Sequence, residues 1–122
     1  MNRPLQVTFR HLPHSEALDA YVAKHAAKLE RFHDRITGCH VVIEAPHQHK
    51  KHGRHYQVRV DLTIPGAEIV VNQTPDDDAA NEDLYAAIDR AFGQVERKLE
   101  EHVRLHDGRD EARRLHERAR NA

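Results

Sequence analysis

The sequence predicts an α+β fold: a two-layer sandwich of order β-α-β-β-β-α, with a four-stranded sheet and both helices on one of its faces. Three observations carry this. Four segments alternate apolar and polar residues with period two. Two longer segments repeat their apolar residues every three or four positions. Every one of the six has a single apolar side, and stacking two helices on one sheet face buries all six at once.

The first strand is Leu5, Val7 and Phe9, alternating with Gln6, Thr8 and Arg10. Pro13 breaks it, and Ser15 is a good helix N-cap. From Glu16 to about His33 the spacing of Leu18, Val22, Ala26 and Leu29 is helical. After Gly38, Cys39, Val41, Ile43 and Ala45 alternate with His40, Val42 and Glu44, a second strand ending near Pro46. His47 to Gly53 reads as a polar turn. Tyr56, Val58, Val60, Leu62 and Ile64 then line one side of the clearest strand in the chain. Pro65-Gly66 suits the centre of a type II turn, because glycine accepts positive φ there. Ile69 and Val71 continue as a fourth strand, and Thr74 to Ala80, with three aspartates in a row, reads as a loop. The second helix starts at about Glu82 and shows Leu84, Ile88, Ala91, Val95, Leu99 and Val103 on its apolar stripe. Glu82 and Asp83 fall in its first turn, where the helix dipole favours acids. Gly93 inside it costs about 1 kcal/mol relative to alanine. Residues 1–106 form one domain, and 107–122 a charged tail, either a solvated helical extension or a frayed end. The sheet face turned away from the helices, with Thr8, Arg10, His40, Glu44, Arg59, Asp61 and Thr63, is expected to meet water or a partner.

Composition narrows the function. No run of about 18 apolar residues exists, so no transmembrane helix and no membrane partner is expected. No secretory signal is visible after Met1, so a cytoplasmic location is the default. The single cysteine excludes an internal disulfide and a four-cysteine zinc site. A net charge of −1 excludes a binder of nucleic acid that works by global charge, though not one that works by a local patch.

Such a patch is visible in the helices. Lys24, Lys28, Arg31 and Arg35 are spaced 4, 3 and 4, which places them within about 60° of one another around a helix axis. The stripe of Leu18, Val22 and Leu29 lies roughly opposite. In the second helix Arg90, Gln94, Arg97, Glu101 and Arg104 form a more dilute outward stripe. Two parallel basic rails suit the phosphates of a nucleic acid, which reward spaced Lys and Arg without any base reading. The competing reading is an ordinary solvated helix face, since Glu30, Glu96, Glu100 and Glu101 interleave with the cations.

The turn between the second and third strands is the other unusual feature. It holds His47, His49, His52 and His55 together with Lys50, Lys51 and Arg54, and no acid lies between Ala45 and Val60. Four imidazoles could hold zinc, nickel or copper. Their spacings match no standard zinc pattern, no carboxylate joins them, and the lysines repel a cation. A cationic finger that touches phosphate, titrating near neutral pH, is the alternative; a plain polar hairpin tip is the third reading. Catalysis finds little support. Ser15 is explained as a cap, Cys39 sits on an apolar strand face where thiols are usually inert, and no Gly-rich phosphate loop or paired-carboxylate signature is present. No cofactor and no small-molecule substrate is expected.

Several segments resemble a known family. Ala27-Lys28-Leu29-Glu30-Arg31-Phe32 closes the first helix, Tyr56 to Gly66 is followed by Glu68-Ile69-Val70-Val71-Asn72, and Glu82-Asp83-Leu84-Tyr85-Ala86-Ala87-Ile88-Asp89 opens the second helix. Over about residues 4–105 the chain is similar to the ribosome hibernation promoting factors, also called ribosome-associated inhibitor A or sigma-54 modulation proteins. The resemblance implies a fold similar to the double-stranded RNA-binding domain. It also implies a translation inhibitor of the short form that binds 16S rRNA of the small ribosomal subunit in the channel for messenger and transfer RNA. Lys28, Arg31 and Arg97 match family cations by position. The rRNA-binding set expected from the rails and the hairpin together is Lys24, Lys28, Arg31, Arg35, Arg90, Arg97, Arg104, Lys50, Lys51 and Arg54. His47, His49, His52 and His55 are kept for the alternative of a histidine-rich metal-binding or stress protein. The chain departs from a well-known member at Asp19 and His25, where that member has arginines, and at Gln94 and Glu101, where it has lysines. The rail is therefore weakened. The C-terminal dimerisation domain of the long form is absent from the sequence, so dimerisation of ribosomes by that route is not expected.

Overall fold

The computed structural model describes residues 2–45, 56–73 and 84–121, with the side chains of the last helix described as far as Leu105. Its elements are β1 (Gln6–Arg10), α1 (Glu16–Phe32), β2 (Gly38–Glu44), β3 (Gln57–Ile64), β4 (Ala67–Gln73) and α2 (Leu84–Asn121). The sheet order is β1-β2-β3-β4, with β1 parallel to β2 and the other pairs antiparallel. A parallel pair needs a long crossover, and α1 supplies it. The β-α-β-β-β-α reading and the two-layer arrangement hold. The histidine turn and the Thr74–Ala80 loop lie outside the described residues, as do Glu82 and Asp83.

The register aligns the apolar side chains across all four strands. Val7 sits opposite Val41 and Phe9 opposite Ile43; Val41 faces Val60, and Val60 faces Val71. Because side chains alternate, a slip of one residue would turn this whole set to solvent. Val22, Ala26 and Leu29 of α1 and Ile88, Ala91, Val95 and Leu99 of α2 close over the same face. Ten aliphatic side chains, among them Ile43, Leu62, Ile88 and Leu99, are fully buried. Each such aliphatic burial is worth about 1.5–3 kcal/mol, which is what fixes both helices on the sheet.

Local signals act where expected. The Ser15 hydroxyl accepts a bond from the Leu18 amide at 3.2 Å and caps α1. Gly66 has φ of 78°, the left-handed value that a turn after Pro65 requires. Val42 points to the outer face of the sheet yet is buried; its neighbours across the ladders are Thr8 and Arg59.

Two expectations are corrected. The first helix ends at Phe32, and His33 turns to extended backbone while its amide caps the Leu29 carbonyl. Arg35 therefore lies past the helix, in the turn to β2. Between the helix end and the buried Ile36, the polar residues His33, Asp34 and Arg35 form the connection to β2. The second correction is Gln94, expected in the outward stripe. Its Nε2 donates to Gln73 Oε1 at 2.9 Å and satisfies that buried amide, so Gln94 turns toward β4. The helix α2 itself runs without a break past Gly93 and Gly108 to Asn121, so the tail is a helical extension.

Candidate nucleic-acid interface

Helical periodicity decides what α1 shows to solvent. With Leu18, Val22, Ala26 and Leu29 committed to the core, Lys24, Lys28 and Arg31 must lie on the far side, and all three are exposed. Successive rail positions three or four residues apart are about 4.5–6 Å apart along the axis. Arg31 stands in the last turn, where the helix dipole favours a cation. Arg35 continues the line beyond the helix end and is exposed as well. On α2 Arg90, Arg97 and Arg104 are exposed, with Glu101 among them. Among the described residues no carboxylate pairs with Lys24, Lys28, Arg31, Arg35, Arg97 or Arg104. The structure thus brings the helix cations onto one side of the molecule. Lys50, Lys51 and Arg54 lie outside the described residues.

Between the rails the two helices meet in a seam that the sequence reading missed. The Tyr21 hydroxyl donates to Asp89 Oδ1 at 2.5 Å, and His25 Nε2 donates to the same oxygen at 2.7 Å. His25 stacks on Phe92 with ring centres 5.0 Å apart, and Tyr21 meets Tyr85 edge-to-face at 4.9 Å. The Tyr21 bond is the main force holding the Asp89 carboxyl below its ordinary pKa; burial opposes it and His25 adds to it. A signal was present: Tyr21 and His25 are four apart on α1, and Tyr85, Asp89 and Phe92 are spaced four and three on α2. What the sequence could not supply is the pairing across 64 and 68 residues.

This seam bears on charge. His25 replaces one of the cations that the family resemblance would place on α1, and its imidazole is committed to Asp89. Asp19, the other departure on α1, is 3.2 Å from His14. These two positions have been turned to internal contacts, whereas Lys28 and Arg31 have not.

A thiol chemistry is ruled out by position. Cys39 is buried on β2, and burial, with Asp61 adding, pushes its pKa up to about 11. It is therefore a neutral thiol at physiological pH, not a nucleophile. Among the described residues no three His, Cys, Asp or Glu side chains come together as a metal site, and the four turn histidines lie outside those residues. Among the described residues no helix is long and apolar enough to cross a membrane.

Comparison with known proteins agrees with the fold. The chain is 31 % identical over 98 residues to a ribosome hibernation promoting factor of Pseudomonas putida, covering 80 % of this chain and 84 % of that protein. It is 34 % identical over 88 residues to a ribosome hibernation promoting factor of Azotobacter vinelandii, covering 72 % and 71 %. The N-terminal domain of Thermus thermophilus Protein Y superposes with a TM-score of 0.60 at 29 % identity, over 80 % of this chain and 94 % of that one. A ribosomal subunit interface protein from Coxiella burnetii shares the fold, with a TM-score of 0.64 at 20 % identity and the same coverage. The model of one family matches residues 5–105, which span all four strands, α1 and the packed part of α2: the chain belongs to the sigma 54 modulation protein / S30EA ribosomal protein family.

Proposed function

We propose that this protein is a ribosome hibernation factor that acts in the cytoplasm, without catalysis, by laying its helix face on 16S rRNA of the small subunit. In the mRNA and tRNA channel it would exclude the substrates of translation by occupying their place. The observation that carries the reading is the line Lys24, Lys28, Arg31 and Arg35, exposed and, among the described residues, without acidic partners, on a chain whose net charge is −1. A protein with spare carboxylates has no need to leave four successive cations unpaired for its own stability. A polyanion gives them a partner, and the release of its counterions gives the binding energy. Relatives named as ribosome hibernation promoting factors support the same reading.

The test is sedimentation of the full chain with purified small subunits through sucrose gradients at about 50 and 200 mM salt. Co-migration at low salt that weakens steeply at high salt is expected. Free protein at the top of both gradients would end the proposal.

A further inference from the structure

At the end of α1 the chain forms a cleft of about 270 Å³ that the rails do not account for. Its floor is buried aliphatic surface from Ile36, Ile64 and Leu99. Phe32, Pro65 and Val103 flank it, and Phe32 is 63 % exposed, more than any other large apolar side chain among the described residues. An exposed phenyl ring beside an open apolar cleft is a cost in water, and a flat ligand would remove it.

The polar rim specifies the ligand further. Arg35, His33 and His102 line the cleft together with Asp34. The cleft also lies at the carbonyl end of α1, where the helix dipole is negative. Asp34 and that dipole both disfavour an anion inside and favour a ring carrying N–H donors. Arg35, which continues the line of Arg31, favours an anion at the mouth. Flat, apolar on its faces, donating at its edge and joined to a phosphate outside: that is a nucleobase in a strand. The volume fits one such unit, since it is below the range of about 300–1,000 Å³ that takes drug-sized molecules.

We infer that the cleft takes one unstacked base of single-stranded RNA, with Phe32 as its stacking platform and Arg35 on the adjoining phosphate. This rests on the reading of the helix face as an RNA surface. It adds to it a contact that depends on strandedness, which phosphate contacts lack. Duplex RNA keeps its bases stacked and cannot enter.

The sequence contains no tryptophan, so Phe32→Trp creates a unique fluorophore at the platform. Titration with a single-stranded oligoadenylate should quench that emission, and a duplex RNA of equal phosphate number should not. Phe32→Ala should weaken oligoadenylate binding about tenfold, Phe32→Trp should preserve it, and duplex binding should move with neither. Unquenched emission at saturating oligoadenylate, or equal affinities of the wild type and Phe32→Ala, would overturn the inference. Quenching by small subunits but not by RNA would assign the cleft to a ribosomal protein and would overturn it too. Failure of the wild type to sediment with subunits would remove the hibernation reading alone, because the oligoadenylate titration decides the cleft without ribosomes.

Discussion

Two faces of this molecule meet solvent, and both carry charge. The outer face of the sheet resolves its polar groups internally. Arg59 Nε donates to Asp61 at 3.1 Å, Gln57 donates to Asn72 at 2.8 Å, and the Thr8 hydroxyl and His40 Nε2 lie 2.9 Å apart. Arg10, at the end of β1, is the exception among its cations. The outer face of α1 does the opposite, with Lys24, Lys28 and Arg31 exposed and, among the described residues, no carboxylate on any of them. Pleated strands put opposite charges side by side across a ladder, where they pair cheaply. A helix could do the same with acids four residues away, and α1 does not. Charge counts treat the two faces alike; partner accounting separates them, and among the described residues it is the helix face that keeps a row of cations available to another molecule.

The largest expected effect breaks this comparison if it is wrong. Replacing Lys28, Arg31 and Arg97 together with glutamine should weaken binding to small subunits about a hundredfold at physiological salt, and lower the salt slope by about one unit per lost contact. The melting temperature should stay nearly constant, because exposed unpaired charges contribute little to stability. Arg59→Gln on the sheet face is the control and should leave binding unchanged. Equal losses from the two faces, in filter binding at matched salt, would erase the distinction.

The inner face of the sheet supplies a second contrast, between a group removed from water and the same group in the unfolded chain. An unfolded cysteine ionises near about 8.5, whereas Cys39 in the fold ionises at about 11. The fold holds the proton more tightly, so this contribution to stability is intact below the unfolded value and is lost as pH rises from there toward the folded one. The melting temperature of the wild type should therefore fall relative to that of Cys39→Ala across this alkaline window. Native protein at pH 8 should resist a thiol reagent, and urea-unfolded protein should consume one equivalent.

Much of this was legible in the sequence, for physical reasons that also explain what was not. Ser15, Pro65-Gly66 and the five alternating residues from Tyr56 to Ile64 act through neighbours one to three positions away, so local pattern suffices. The exposure of Lys24, Lys28 and Arg31 follows from the core positions on the same helix. Arg35 failed because periodicity continues a helix on paper, whereas the chain leaves the helix at Phe32 and passes through His33, Asp34 and Arg35 into β2. Gln94 and the Tyr21–His25–Asp89 seam failed because their partners are set by how α2 lies against β4 and α1, and no local signal carries that. The stacking cleft likewise exists only because Phe32, Pro65 and Val103, far apart in sequence, converge at one end.

The seam yields a smaller effect on stability. Asp89→Ala leaves the Tyr21 hydroxyl and His25 without their shared acceptor, a loss of about 0.5–1 kcal/mol given how exposed the site is. It should lower the melting temperature by a few degrees and leave RNA binding equal or slightly stronger, since a carboxylate beside the rail is gone. The Asp89 pKa lies below its unfolded value. The stabilisation is thus present above about pH 4 and is lost as pH falls through the folded value. The gap in melting temperature between wild type and Asp89→Ala should close in that acidic range. A gap that stays constant to low pH would show that the carboxylate's charge is not what the seam uses.

The smallest effect is the sharpest form of the comparison, because it sets two adjacent cations on one helix against each other. Arg97 is exposed and has no partner among the described residues. Lys98, one residue on and turned by about 100°, donates from Nζ to the Val70 carbonyl of β4 at 3.3 Å. One is available to a phosphate and the other is spent on the sheet edge. Arg97→Gln should lower affinity for small subunits about fivefold at physiological salt and leave stability within about 0.5 kcal/mol. Lys98→Gln should do the converse: a loss of a few tenths of a kcal/mol in urea unfolding, because an exposed hydrogen bond is worth little, and no change in the salt slope of binding. Both variants lose one positive charge, so any explanation by net charge predicts identical binding. A Lys98→Gln variant that lost as much affinity as Arg97→Gln would show that the ribosome reads the helix as a diffuse positive field, and that partner accounting does not locate its contacts.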